Sequence, residues 1–164
     1  MTITLKKYDH ADRADLVRCM EELQDFIAAT DPHKRLRRLK EYGERYTERL
    51  LENIEKNAGL VLFASDEGQI VGCIAGIIQR QTEDSLLEVV PTKAGGWILE
   101  LFVKESHRKS GIGTKLMRAM EEYFKENGCT IVQVEVFAPN RSAHDFYLGR
   151  DYEDRSMFML KLLE

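Results

Sequence analysis

The spacing of apolar positions changes period several times along the chain, and each change marks an element. Residues 2–8, TITLKKY, alternate and predict a first strand. Leu16, Val17, Met20, Leu23 and Ile27 recur at helical spacing, which predicts a helix capped by Asp9 or Asp12. Asp31-Pro32 breaks it, because a residue before proline is pushed out of helical backbone. A second helix follows with Leu36, Leu39, Tyr46, Leu50 and Ile54 on one stripe, and Gly59 ends it. The period then shortens. GLVLFAS (59–65) and QIVGCIAGIIQ (69–79) are β-branched and apolar, with Asp66-Glu67-Gly68 as the turn of a hairpin.

The polar stretch 81–94 reads as loop, and GWILELFV (96–103) as another strand. A polar segment, KESHRKS, leads into Gly111-Ile112-Gly113. A helix then runs to about Asn127 with Leu116, Ala119, Met120, Tyr123 and Phe124 apolar, closed by Gly128. CTIVQVEVF (129–137) reads as strand, AHDFYLG (143–149) as short helix and SMFMLKLL (156–163) as a last strand. The order βααββ followed by βαβαβ predicts an α/β fold, a mixed and mostly antiparallel sheet with helices on both faces.

Length and charge narrow the classes. The 164 residues fill one domain, so 1–164 is read as a single unit. Against 28 acidic residues stand 24 lysines and arginines, a net charge of −4 that argues against a dedicated nucleic-acid binder. No apolar run approaches the ~18–20 residues of a membrane span, and MTITLKKYDH lacks a secretory apolar stretch. Cys19, Cys73 and Cys129 form no CxxC pair, and the four histidines show no metal-ligand spacing. A cytoplasmic protein without metal, nucleic-acid or membrane partners is expected. HKRLRRLK (33–40) reads as the solvated face of the helix it opens, and Glu83, Asp84 and Glu88 as acids that could draw in a cationic amine.

The segment 97–116, WILELFVKESHRKSGIGTKL, carries the chemistry. A strand, a glycine turn and a helix N-terminus in succession make an anion site, since glycines let backbone N–H groups approach a phosphate and the helix dipole favours its charge. Arg108, Lys109 and Lys115 add positive charge. A Walker A loop needs GxxxxGK[ST], which these residues do not fit. The dinucleotide fingerprint is nearer, with Glu135 on the next strand, but Leu116 stands where its third glycine belongs.

Arg108-Lys109-Ser110-Gly111-Ile112-Gly113 matches the R/Q-x-x-G-x-G/A loop of the GNAT superfamily of N-acetyltransferases, and the resemblance extends outward. WILELFVKESHR is similar to that superfamily's fourth strand, and VEVFAPNRSAHDFY (134–147) to its fifth strand and following helix. The resemblance implies acetyl-CoA as co-substrate and a primary amine as acceptor. It implies that the N–H groups of Arg108, Lys109, Ser110, Gly111, Ile112 and Gly113 bind the pyrophosphate, with Thr114 beginning the helix behind them. Leu101, Phe102 and Val103 match the backbone that pairs with the pantetheine arm, and Asn140 the asparagine that contacts that arm. Tyr147 matches the tyrosine that protonates the departing thiolate.

For the general base two residues stand open, Glu135 by resemblance to ribosomal-protein acetyltransferases and Glu100 beside the expected acetyl group. An acyl-CoA other than acetyl-CoA, or a CoA-binding module without catalysis, is an alternative. Asp151 departs from the pattern, standing where glycine is common, and predicts a shifted or strained turn. The apolar SMFMLKLL would present a sheet edge for homodimerisation.

Overall fold

The computed structural model describes residues 2–81 and 94–163. Strand β1 (Ile3–Lys7) leads through a short 3-10 turn at His10–Asp12 into α1 (Arg13–Thr30). Asp9 caps that turn: its carboxylate accepts from the Ala11 N–H at 3.0 Å, and the Asp12 carboxylate reaches back to the Asp9 N–H at 3.2 Å. Helix α2 (Tyr42–Lys56) and the hairpin β2 (Leu60–Asp66) and β3 (Gln69–Arg80) follow. Glu67 and Gly68, the two residues between paired Asp66 and Gln69, both have positive φ (48° and 82°), as a tight right-twisted hairpin demands. Then come β4 (Ala94–Val103), a 3-10 turn at Glu105–His107, α3 (Ile112–Glu126), β5 (Ile131–Val134) and α4 (Arg141–Leu148).

The strands form one sheet in sequence order, β1-β2-β3-β4-β5, antiparallel except for the parallel β4–β5 pair. On one face Ile74 and Ile98 pack against Ile112, Leu116, Met120 and Phe124 of α3. On the other Phe63, Cys73 and Phe102 pack against Leu16 and Met20 of α1 and Leu50 of α2. Helices therefore cover both faces, as the element order predicts.

Three expectations are corrected. The second helix starts at Tyr42, ten residues after Pro32, because Asp31 captures the N–H groups of His33, Arg35 and Leu36 and offers that backbone an alternative to helix. Leu36 and Leu39 consequently lie exposed rather than on the α2 stripe. Strand β5 is shorter than 129–137, ending at Val134. Residues 152–163 have no regular structure, so the strand expected over 156–163 is absent. An apolar run becomes strand only with a ladder partner and a surface to pack on, and this run has neither among the described residues. The polar stretch with Glu83, Asp84 and Glu88 lies outside the described residues.

Candidate active site

The site begins with a break in register on β4. Ala75 pairs with Glu100 and Gly76 with Ile98, so Leu99 has no opposite number on β3. A bulge of this kind puts two successive side chains on one face. Ile98 packs on the α3 side, whereas Leu99 and Phe102 pack on the α1–α2 side. Strict alternation would send Glu100 after Ile98. The bulge turns it instead towards α2, where the Tyr46 hydroxyl donates to Glu100 Oε1.

The same stretch of β4 loses its other neighbour. Pairing with β5 runs from Gly95–Ile131 to Ile98–Val134 and stops there. Past that point the strands part, and a cavity of about 560 Å³ opens between them. Its floor is Trp97, Glu100 and Leu101 on β4 with Val134 at the end of β5 and Glu135 to Phe137 beyond it. Tyr42, Tyr46, Arg49 and Asn53, along one face of α2, form one wall, joined by Gln24 and Ile27 of α1. Asn140 and Tyr147 of α4 close the far side.

Burial sets the acid–base character of these groups. Desolvation pushes the Glu100 carboxyl up to about 6, only partly opposed by the Tyr46 hydrogen bond. Tyr147 is buried and its hydroxyl is raised well above its ordinary value, first by burial and then by the nearby Glu100 charge, so it is protonated at neutral pH. Tyr42 is pushed up to about 12 by burial and Glu100. Its ring stacks on Tyr46 with centroids 5.1 Å apart, which fixes the hydroxyl that holds Glu100. Glu135 lines the same cavity but is exposed.

At the end of β4 the chain turns through the glycine loop. Gly111, the N-cap of α3, has φ +84°, and Lys109 φ +61°. A Cβ at Gly111 would meet nothing, so conformation and not space is what calls for glycine there. Arg108 donates from Nε to the Val103 carbonyl at 3.1 Å and lies over the Phe26 ring, 4.5 Å from its centroid. The Ser110 hydroxyl bonds the His107 carbonyl at 2.5 Å. Thr114 accepts from Arg150. Phe102 is buried under α1, leaving its backbone rather than its side chain for any ligand.

Thus Glu100, Leu101, Glu135, Asn140 and Tyr147 are brought to one cavity, whereas residues 108–113 lie outside its lining, beyond the end of β4. Asn140 also caps α4, its Oδ1 accepting from the Ala143 N–H at 3.2 Å. Asp151 has φ +62°, the strained turn that its departure from the pattern predicts. Tyr42, Tyr46, Arg49 and Trp97 are cavity residues that sequence reasoning did not single out. The available signal was the pair of tyrosines four apart on a helix, which face one side. Among the described residues no group of three or more His, Cys, Asp or Glu is placed to hold a metal ion.

Comparisons with known proteins bear on the family and the fold. The model of the acetyltransferase (GNAT) family matches residues 18–150, and the chain belongs to that family. An uncharacterized N-acetyltransferase of Methanocaldococcus jannaschii is 32% identical over 95 residues, 57% of this chain and 53% of that protein. The chain spans from 22% to 58% of the curated relatives it matches. A mutant of the BH1408 protein from Bacillus halodurans superimposes with TM-score 0.81 at 19% identity, covering 98% of this chain and 99% of that one. AAC(6')-Iy, solved with a bisubstrate analog of CoA and acetylneamine, gives TM-score 0.70 at 14% identity, covering 99% and 100%. At such identities these likenesses speak for the fold.

Proposed function

We propose that this chain transfers an acetyl group from acetyl-CoA to a primary amine, and that residues 1–164 act as one GNAT unit. The observation that carries the reading is the parted β4–β5 cleft, where a carboxylate of raised pKa and a neutral buried tyrosine line one cavity. Acetyl-CoA suits the residues present. The αL turn at Gly111 and the start of α3 offer N–H groups of 108–113 to a pyrophosphate, with Thr114 in the first turn behind them. The β4 backbone of Leu101 and Phe102, which has no β5 partner, is open to the pantetheine arm, while the Val103 carbonyl already accepts from Arg108 Nε. Asn140, the cap of α4, lines the same cavity and would contact that arm.

When bound, the co-substrate supplies an acetyl thioester. Glu100 takes the proton from the acceptor ammonium, and the freed amine forms the new C–N bond as the C–S bond breaks. Tyr147 donates its proton to the leaving thiolate. The second proton, shed by the new amide nitrogen, returns to the Tyr147 oxygen, so that the net proton released is the one taken up by Glu100. Glu100 is preferred to Glu135 as the base because its carboxyl is buried, held by Tyr46 and poised near 6, while Glu135 is exposed. Three buried free thiols support a reducing, cytoplasmic setting. Six exposed apolar side chains between Met157 and Leu163 support self-association through that segment, which light scattering tests. The reading as a whole is tested by following thiol release with an amine panel. Tyr147→Phe should lower kcat about hundredfold with KM for acetyl-CoA unchanged. Glu135→Gln should leave the pH profile in place. Wild-type turnover by Tyr147→Phe would refute the acid role.

A further inference from the structure

The loop between α1 and α2 is not used by the chemistry above. Residues 32–41 are exposed throughout, yet their backbone is pinned. Asp31, 4% exposed, accepts the N–H groups of His33 at 3.0 Å, Arg35 at 2.7 Å and Leu36 at 3.1 Å. On that frame stand Lys34, Arg35, Arg37, Arg38 and Lys40, five cations close together in a chain whose net charge is −4. Arg38 is neutralised by Glu21 at 3.2 Å and Asp25 at 2.8 Å. Lys34, Arg35, Arg37 and Lys40 pair with no carboxylate among the described residues.

The position of this loop gives the charge a meaning. Ile27 and Tyr42, which flank it, both line the cavity, and the exposed Arg49 lines it further along α2. The rim of the cavity at Tyr42 therefore runs on into the basic loop, with Arg49 the cation in the lining itself, while the floor holds Glu100 and Glu135. An acceptor complementary to both has a cationic amine at one end and anionic groups beyond it. We propose that this rim is the docking surface for the acceptor, and that the acceptor is an acidic peptide. Its amine reaches Glu100 and Tyr147 while the carboxylates that follow meet Arg49, Lys34, Arg35, Arg37 and Lys40. An extended peptide advances about 3.3 Å per residue, so a few residues carry those carboxylates out of the cavity to the rim. A nucleic acid would satisfy the rim but brings no alkyl amine to the floor. The proposal rests on the acetyl-transfer reading for the role of the amine.

Fluorescence anisotropy of a labelled ten-residue peptide, with a free N-terminus followed by four acidic residues, tests it on the CoA-loaded protein. The peptide should bind about tenfold more tightly than the same peptide with glutamines in those places, as several exposed ion pairs of modest strength combine. The advantage should fade as added salt shortens the Debye length below ~10 Å. Lys34→Gln, Arg35→Gln, Arg37→Gln and Lys40→Gln together should abolish it and leave KM for acetyl-CoA unchanged; these exposed side chains carry no packing. The salt series needs no variant, so it decides the matter even if that protein folds poorly. Equal affinity for the two peptides, or tighter binding of a short single-stranded RNA, would overturn the proposal. Acetylation of neutral amines without acidic preference would also overturn it, while leaving acetyl transfer intact. Preferential binding of the acidic peptide without its acetylation would keep the surface and defeat the acetyl-transfer reading.

Discussion

Glu100→Gln separates what the site costs from what it does. The substitution keeps the shape and an oxygen for the Tyr46 hydroxyl to donate to, and removes the charge. Burial raises the Glu100 carboxyl from an ordinary value of 4.5 to about 6, and at about 1.36 kcal/mol per pH unit that separation is worth about 2 kcal/mol. A folded-state value above the unfolded one means a contribution fully present below the unfolded value and lost as pH rises through about 6. Above that pH the wild-type protein therefore carries a buried charge that opposes folding. At pH 8 the Gln variant should be about 2 kcal/mol more stable, a rise of about 4–8 °C in Tm for a chain of this length. The gain should shrink to about 0.4 kcal/mol by pH 4.5, where the unfolded carboxyl is half ionised. Acetyl transfer should meanwhile fall about hundredfold or more, because the amine has lost its base. Thermal denaturation of both proteins from pH 4.5 to 8 is the assay. A variant less stable at pH 8, or a gain independent of pH, would refute the reasoning.

The other predictions concern the groups around that carboxylate and the frame that holds it. Tyr46→Phe keeps the stack on Tyr42 but removes the hydrogen bond that lowers the Glu100 pKa, so the acidic limb of the kcat/KM profile should move up from about 6, as a pH–rate series would show. Gly96→Ala would set a Cβ 2.3 Å from the Phe124 ring, and urea denaturation should show a loss of about 1–3 kcal/mol as β4 and α3 are forced apart. Asp151→Gly relieves the left-handed turn after α4 and should add about 0.5–1 kcal/mol in the same assay.

The legible parts of the molecule were those set by local patterns. The hairpin of β2 and β3 followed from two β-branched runs around Asp66-Glu67-Gly68, and the anion loop from glycines between a strand and a helix. Both depend on neighbours a few residues apart. Glu100 was legible as a candidate but its face was not, because the bulge at Leu99 is a mismatch with β3, a partner distant in sequence. The start of α2 was hidden for a related reason. Leu36 and Leu39 continue the helical stripe of Tyr46 and Leu50, and only the capture of three N–H groups by the buried Asp31 stops the helix forming there. The basic cluster 33–40 is then an exposed loop that leads into Tyr42 instead of a helix face. At the C-terminus SMFMLKLL has strand composition without a ladder partner, and propensity alone does not make a sheet.

The central claim is that Glu100 deprotonates an amine acceptor for acetyl transfer in the β4–β5 cleft. The most direct test is the pH dependence of acetylated product formed by the wild-type protein and by Glu100→Gln, measured by mass spectrometry with acetyl-CoA and the acidic peptide. The wild-type rate should rise through about pH 6 to a plateau, and the variant should be about hundredfold slower on that plateau with no such rise. A Glu100→Gln protein that acetylates at the wild-type rate with the same profile would contradict the account.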